Sequence, residues 1–234
     1  MKNTKSYFLM AILFMAISTT NAQDDNEPRY LIGDNNGKVH VSGFGAYTIG
    51  FSELNGNLAV YNGGSGAVLL NQKVYFGGYG TGLSTAHRRD DISIKTGNNV
   101  VESYSNLRTG FGHGGFLLGY IHQSHKPVHF GISTKLGWGA VSLTEDYSGD
   151  TFNDYGYYSI VTDNVFVVNP QLEVELNMLR WFKINASAGY QFVSGIDQTY
   201  INADGQRTQY FGKNDFNKPV FNLSFVFGGF GGKR

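Results

Sequence analysis

Apolar and polar residues alternate with a period of two along most of the chain after residue 38, and this period predicts β-strands. The clearest stretch is 128–142, where bulky apolar side chains fall on one face and small, polar or charged side chains fall on the other. The faces of the Gly-rich strands within 57–85 and 109–122 stay open at this stage. Eight strands are predicted, at 38–52, 57–70, 72–85, 109–122, 128–142, 165–177, 180–193 and 219–228.

The chemistry of the two faces predicts which one points outward. In 128–142 and 180–192 the polar face is mostly Gly, Ser, Asn, Gln and Lys, which fits the narrow interior of an eight-stranded barrel. A tilted strand from Phe182 to Phe192 rises roughly 25 Å, the height of the apolar band of a membrane barrel. We therefore predict an all-β, eight-stranded, antiparallel, up-and-down transmembrane β-barrel over residues 38–230. The alternative is a soluble, lipocalin-like barrel whose apolar face lines a ligand cavity.

The connections between the predicted strands alternate between short and long. Short turns at one end and long loops at the other are typical of outer-membrane barrels, with the short turns on the periplasmic side. The hairpin at Asn55-Gly56 is a short-turn signal on the long-loop side. Tight turns are predicted at 71–72, 123–127 and 178–179, and long polar loops at 86–108, 143–160 and 194–218. The long loops carry many Tyr residues, which provide rigid contact area, so we expect a surface partner to bind there.

The N-terminal segment resembles an export signal. Lys2 and Lys5 precede an uninterrupted apolar run, and the small residues Thr20 and Ala22 stand where a signal peptidase cuts. The apolar run, 7–17, is 11 residues long, whereas a membrane-spanning helix needs about 20. We therefore predict a signal peptide at 1–22 that is cleaved after Ala22, and a short periplasmic leader at 23–37. The alternative is an N-terminal membrane anchor.

Composition narrows the function classes. The 234 residues include 18 Lys+Arg and 18 Asp+Glu, so no basic footprint for nucleic acid is predicted. The chain has no Cys, which excludes disulfides and Cys-ligated zinc. The 32 Gly, 18 Phe and 15 Tyr suit bent strands and argue against a disordered chain. No cofactor is predicted.

Four charged residues fall on the predicted lumen faces of three consecutive strands: Lys135, Glu173, Glu175 and Lys183. A turn centred near residue 179 places Glu175 opposite Lys183, and Glu173 is then expected to reach Lys135 from the other side. Charges in a narrow lumen need partners, so this set is predicted to be a structural network of ion pairs. An ion or proton path through the lumen is the functional alternative.

Other candidate sites are weaker. His122, Ser124, His125 and His129 include the His-x-Ser spacing of barrel-type lipid A deacylases, but they fall in a predicted tight turn without an acid or an oxyanion site. We interpret them as a solvated turn, which binds metal only incidentally. The acidic segment 145–158 lacks the ligand spacing of an EF-hand and is interpreted as a solvated loop. Two Gly runs do not open a helix and are interpreted as strand curvature, at Gly77-Gly78-Tyr79-Gly80 and Gly112-His113-Gly114-Gly115.

Three segments resemble a known family. They read VHFGISTKLGWGAV at 128–141, NVFVVNPQLEVELNMLRWFKINASAGYQFVSG at 164–195 and FVFGGF at 225–230. This pattern resembles the small outer-membrane β-barrel proteins of Bacteroidota-type bacteria, which have an eight-stranded, OmpA/OmpX-like architecture. The resemblance covers most of 38–230 and is strongest after residue 109. It implies a barrel in the outer membrane and carries over no catalytic residues.

These patterns favour a non-enzymatic outer-membrane barrel with a lumen filled by side chains. Its role would lie in envelope structure or in loop-mediated binding or adhesion, with outer-membrane lipids and the outer-membrane assembly machinery as partners. Two alternatives stay open: a membrane-embedded enzyme that modifies lipid A or phospholipid, and a soluble periplasmic lipid carrier. The enzyme requires a His–Ser–acid set at the long-loop end, which the sequence does not show.

Overall fold

The computed structural model describes residues 39–97, 100–148 and 155–230. The predicted signal peptide (1–22) and leader (23–37) lie outside the described residues and stay predictions. In the described ranges the chain forms fourteen β-strands: β1 (Val41–Leu54), β2 (Asn57–Leu70), β3 (Val74–Leu83), β4 (His87–Arg89), β5 (Ile92–Thr96), β6 (Val100–Tyr104), β7 (Leu107–His122), β8 (Val128–Ser148), β9 (Tyr155–Asn177), β10 (Phe182–Tyr190), β11 (Phe192–Ser194), β12 (Thr199–Ile201), β13 (Arg207–Gln209) and β14 (Pro219–Gly228). In these ranges no helix is long and apolar enough to cross a membrane.

Eight of these strands close into a ring. The order is β1, β2, β3, β7, β8, β9, β10 and β14, each strand is antiparallel to its neighbours, and β14 pairs with both β10 and β1. Following paired residues once around the ring from Leu176 leads back to β9 at Phe166, ten residues away. With eight strands spaced about 4.8 Å apart, this offset tilts the strands by about 40°, within the range of closed barrels. The predicted fold class is confirmed.

The ring has two unlike ends. The turn end carries the connections at 71–73, 123–127 and 178–181, and Asn71, Gln72 and Gln123 have φ angles of 51°, 57° and 54° there. The loop end carries the two-residue turn Asn55-Gly56, where both φ angles are positive, as its Asn-Gly sequence predicts. The remaining connections of the loop end are 84–106, 149–154 and 195–218.

The predicted long loops are partly wrong, because much of each is strand. Residues 86–108 contain β4, β5 and β6, and 194–218 contains β12 and β13. Residues 143–160 are mostly the continuations of β8 and β9. On β8 the side chains go on alternating between the two faces, but above residue 140 the apolar residues are on the inner face. Val141 and Leu143 point inward and are fully buried, while Ser142 lies on the outer face. The predicted strand ends at residue 142 because the prediction looks for apolar residues on the outer face, which end there.

The prediction that the bulky apolar face points outward is confirmed in the part of the barrel nearer the turn end, which we call the lower part. Leu172, Phe130 and Trp138 point outward and are 69%, 63% and 58% exposed, whereas the inward-facing Lys183 and His129 are 2% and 1% exposed. The bulky apolar face therefore does not line an interior cavity. The lipid-carrier interpretation, which requires such a cavity, is wrong.

The outward apolar face forms a belt of bilayer height. On β9 it runs from Leu176 to Phe166, roughly 25 Å along the barrel axis at the tilt given above. Above Phe166 the outward residues of β9 are the polar Asn164 and Thr162. Aromatic contacts border the belt at both edges, with ring centroids 5.3 Å apart for Trp138–Phe166 and 5.2 Å apart for Phe182–Phe227. Such girdles are characteristic of barrels that span a membrane.

Candidate functional site

A compact charge cluster occupies the turn-end half of the lumen. The Glu175 Oε2 atom accepts a bond of 2.9 Å from Lys183 Nζ and one of 2.6 Å from His129 Nε2. All three residues are buried. The predicted register is wrong by two residues, since Lys183 lies opposite Asn177. The turn 178–181 is longer than predicted, and the ion pair forms diagonally across the two strands.

His129 is the member of this cluster that sequence reasoning missed. Its Nδ1 atom lies 3.1 Å from the Lys126 carbonyl oxygen, and its Nε2 atom faces Glu175. The ring is therefore held from both sides inside the lumen, and His129 is 1% exposed. The solvated-turn interpretation is therefore wrong for His129. The signal that could have found it is its place on the polar face of 128–142, in phase with Lys135.

The cluster is covered toward the turn end by an aromatic ring. Lys183 Nζ lies 4.1 Å from the centroid of the Phe230 ring, within the range of a cation–π contact. The Phe230 backbone N–H donates to the Arg180 carbonyl at 3.2 Å, which fixes the chain after β14 across the mouth of the barrel. The buried charges are thereby separated from water at this end.

Glu173 is held by neutral donors. Its carboxylate accepts bonds from Ser133 Oγ at 2.5 Å, from Tyr75 Oη at 3.0 Å and from Asn185 Nδ2 at 3.2 Å. The predicted pairing with Lys135 is wrong: among the described residues no carboxylate oxygen lies within 4.0 Å of Lys135 Nζ, which sits 5.5 Å from the centroid of the Tyr79 ring. Ser133 and Asn185 lie on the two strands next to β9, and Tyr75 lies on the more distant β3. These three donors satisfy the carboxylate without an ion pair.

The rings of Tyr75 and Tyr79 explain why the Gly-rich strands show no clear alternation. Each ring lies across a glycine of a neighbouring part of the wall, Tyr75 over Gly119 and Tyr79 over Gly137, where a Cβ atom would collide with it. These lumen positions need Gly because a large side chain already fills the space. On β3 the inward face therefore alternates Tyr75, Gly77 and Tyr79 instead of being uniformly polar.

A small cavity lies between the charge cluster and the middle of the lumen. It has a volume of about 40 Å³ and is bordered by Lys135, Gln171, Glu173 and Asn222, among others. This is space for about three water molecules. It does not amount to an aqueous channel.

The loop-end half of the lumen is filled by apolar side chains, which we call the loop-end plug. Phe216 packs against Phe111 and Phe211, with ring centroids 4.9 Å and 5.8 Å apart. Asp163 holds the covering chain in place, because its Oδ1 atom accepts the backbone N–H groups of Asp197 and Gln198 at 3.3 Å and 3.2 Å. The plug consists of Leu54, Ala59, Tyr61, Leu107, Phe111, Val141, Leu143, Val165, Val167, Val193, Ile196, Phe211 and Phe216.

The described residues of the loop end include two short hairpins that contact each other. The hairpin β5–β6 and the hairpin β12–β13 are joined by a bridge between Ile94 and Asn202. The rings of Tyr200 and Tyr210 contact each other with their centroids 4.7 Å apart and their planes tilted by 39°. On the hairpin β5–β6, the side chains of β6 are mostly exposed, including two valines. The loop end therefore presents a defined face with exposed apolar groups.

The remaining sequence candidates do not converge on a reactive site. His122 and His125 are exposed at the turn end, apart from the buried His129. Among the described residues no group of three or more His, Asp or Glu is arranged to hold a metal ion. Residues 149–154 of the acidic segment lie outside the described ranges. The two Gly runs lie within the paired strands β3 and β7, as their interpretation as strand required.

A closed ring of eight tilted strands, an outward apolar belt and buried charges inside the ring at the height of that belt together define a small transmembrane β-barrel. No protein-family model matches the chain, and no curated protein matches it. Among solved structures it is similar to Neisserial surface protein A (NspA), at 10% identity and a TM-score of 0.45, over 82% of this chain and 97% of that chain. It is also similar to Ail, the attachment invasion locus protein of Yersinia pestis, at 14% identity and a TM-score of 0.34, over 80% of this chain and 96% of that chain. A second structure of Ail, in complex with the heparin analogue sucrose octasulfate, matches at 11% identity and a TM-score of 0.38, over 80% and 96% of the two chains. The barrel assignment rests on the strand pairing described above.

Proposed function

We propose that this chain is a non-enzymatic outer-membrane barrel that acts through its loop end, in envelope structure or in binding and adhesion. The protein is exported by the signal peptide 1–22, and the turn end faces the periplasm. Outer-membrane lipids surround the belt, and the outer-membrane assembly machinery inserts it. Its origin in Bacteroidota-type bacteria rests on the sequence resemblance alone.

The loop-end plug is the observation that carries this proposal. Thirteen buried apolar residues close the lumen just above the membrane belt, and the polar space beneath them holds only a few waters. A barrel closed in this way offers no route for solutes, so its contacts with other molecules lie on its surfaces. The described part of the loop end presents two paired hairpins, the exposed Val100 and Val101, and the contacting rings of Tyr200 and Tyr210.

The closed lumen is tested by single-channel recording of the purified protein in planar bilayers. We expect no steady conductance from the wild type. The double variant Phe211→Ala and Phe216→Ala empties only the loop-end half, and the charge cluster below it is expected to keep this variant closed as well. A porin recorded in the same bilayers shows that the assay detects an open barrel. Steady wild-type channels would contradict the proposal. Release of fatty acid from lipid A or phospholipid by the wild type would favour the enzyme alternative.

The role of the loop end is tested in cells. Surface labelling should reach Lys95 and Lys213, which lie at the loop end, but not Lys73 at the turn end. Cells that carry Val100→Asn and Val101→Asn are expected to lose cell–cell aggregation or attachment to polystyrene relative to wild type. The matched control is Val68→Asn on the membrane belt, which reports on insertion instead. Unchanged attachment at equal surface levels would remove the β5–β6 hairpin from the binding role.

A further inference from the structure

An apolar groove crosses the outer wall of the barrel over β7, β8, β9, β10 and β14. It has a volume of about 720 Å³, and its lining includes Tyr120, His122, Phe130, Leu172, Ala186 and Ala188. The two alanines form its floor because their outward side chains are short. Phe130 and Leu172, at 63% and 69% exposure, project beside them as walls.

The groove opens to one half of the membrane only. Its lower end lies at His122, the last residue of β7, beside Phe130 at the turn-end edge of the belt. Its upper end lies at Ala188, which pairs with Phe221 on β14. Between these ends the groove rises roughly 15 Å along the tilted strands, about half of the apolar belt. Such a slot fits one acyl chain of the turn-end leaflet.

The lower end of the groove borders a surface of uniform charge. Among the described residues of the turn end (39–40, 71–73, 123–127, 178–181 and 229–230) there are three cationic side chains, Lys73, Lys126 and Arg180, and no Asp or Glu. The loop end, in contrast, carries both signs along its loops and hairpins. Lys126 lies in the same turn as the groove's polar end, four residues after His122.

The turn end also has the apolar residues expected at a lipid headgroup layer. Met178, Leu179 and Trp181 are 50%, 54% and 56% exposed and flank Arg180 directly. Exposed apolar and aromatic residues beside a cation are stable where acyl chains meet phosphates. The charge of this layer complements an anionic headgroup.

We propose that the groove and the adjoining turn 123–127 form a binding site for an anionic glycerophospholipid of the turn-end leaflet. One acyl chain lies over Ala186 and Ala188 between Phe130 and Leu172. The phosphate lies against Lys126, with His122 at the boundary between chain and headgroup. This rests on the proposed function only in requiring that the barrel spans a bilayer.

The test is native mass spectrometry of the full-length mature protein in detergent micelles that contain equal amounts of phosphatidylglycerol and phosphatidylethanolamine. The wild type is expected to retain phosphatidylglycerol preferentially. Lys126→Gln should reduce that preference about fivefold, the effect of removing one basic contact near a membrane surface. Ala188→Leu fills the groove and should lower retention of both lipids.

Two matched variants control for charge and bulk elsewhere. Lys213→Gln removes an exposed cation at the loop end. Gly80→Leu adds a side chain to the outer face of the opposite wall, where nothing lies within 4 Å of the new Cβ atom. Both variants are expected to retain phosphatidylglycerol as the wild type does.

Three outcomes would overturn the site. They are equal retention of the two lipids by the wild type, loss of preference in Lys213→Gln equal to that in Lys126→Gln, and displacement of the lipid by soluble glycerol phosphate. The last outcome would indicate a phosphate site without an acyl-chain groove. Heat-modifiable gel migration on the same samples distinguishes failure of the lipid site from failure of the proposed function. A protein that migrates as a compact barrel but shows no lipid preference would contradict the lipid site alone. A protein that never migrates as a compact barrel would contradict the proposed barrel function as well.

Discussion

The two halves of the lumen are stabilised by different kinds of interaction. In the turn-end half, the wall is apolar outside. Inside, Glu175, His129 and Lys183 are joined by short bonds on one side, and a small apolar cluster that includes Leu69, Leu117 and Ile121 packs on the other. In the loop-end half, the wall is apolar inside and polar outside, and burial of Phe216 and its neighbours holds the covering chain. The reversal occurs where the strands leave the membrane belt. Each half places its apolar residues where water is absent, which is outside in lipid and inside above it.

The largest expected effect follows from removing the shared acceptor of the charge cluster. Glu175→Ala leaves the buried Lys183 without its carboxylate partner, and the cost of such an orphaned charge is about 3–5 kcal/mol. Urea unfolding of the barrel in lipid vesicles, followed by tryptophan fluorescence, measures the midpoint. The control is Glu53→Ala, which breaks an ion pair to Lys218 with the same N–O distance of 2.9 Å but at the exposed loop end. Equal midpoints for the two variants would contradict the proposed role of the cluster.

A smaller effect, confined to the other half, is expected from the plug. Phe216→Ala removes a buried aromatic ring and should cost about 3 kcal/mol. The loss should appear as faster hydrogen exchange in 195–218, with exchange in the turn-end parts of β9 and β10 unchanged. Faster exchange in both halves would show that the two halves unfold together and are not independent.

Next in size is a single hydrogen bond in the turn-end half. Tyr75→Phe keeps the ring over Gly119 but removes the donor that lies 3.0 Å from Glu173, at a cost of about 2 kcal/mol for a bond to a carboxylate. Tyr47→Phe is the matched control, because its hydroxyl donates to Asn62 on the exposed outer face. We expect the urea midpoint to fall for Tyr75→Phe only.

The smallest effect is expected from acid at the loop end. Burial lowers the pKa of His87, whose Nε2 atom lies 2.9 Å from Thr85 Oγ1. The neutral ring therefore contributes stability that is fully present above the unfolded pKa of about 6.5 and is lost as the pH falls below it. The hydrogen-exchange protection factors at β4, which are corrected for the intrinsic pH dependence of amide exchange, should fall between pH 7 and pH 5 in the wild type and not in His87→Gln. An identical fall in the variant would assign the acid response to another group.

The strands were predictable from sequence where one face of the strand meets lipid and the other meets the polar lumen. Lipid outside and a narrow polar lumen inside give β8, β9 and β10 a strict alternation, which is why their lower parts were found from sequence. In β2, β3 and β7 the outer face includes Gly64, Gly80 and Gly114, and the inner face mixes Gly with apolar and aromatic side chains, so neither face stands out. The loop-end strands were missed because the apolar residues move to the inner face above the belt.

The partners inside the lumen were less predictable than the strands. The position of Lys183 beside Glu175 depends on a turn two residues longer than the sequence suggested, and the side chains bridged the difference diagonally. His129 was grouped with His122 and His125 because they are close in sequence, although it faces the opposite side of the wall. The donors to Glu173 include Tyr75, 98 residues away, and no local pattern specifies that contact.

The seam between β1 and β14 constrains how the molecule is made. Tyr47 on the first strand of the ring pairs with Phe225 on the last, so the ring closes only after the chain has been made through residue 225. Until then β1 and β10 each present an unpaired edge, which lipid cannot satisfy and which other chains can join. Contacts this distant in sequence form slowly. Chains truncated before residue 219 should therefore accumulate as aggregates and be degraded, not persist as smaller barrels.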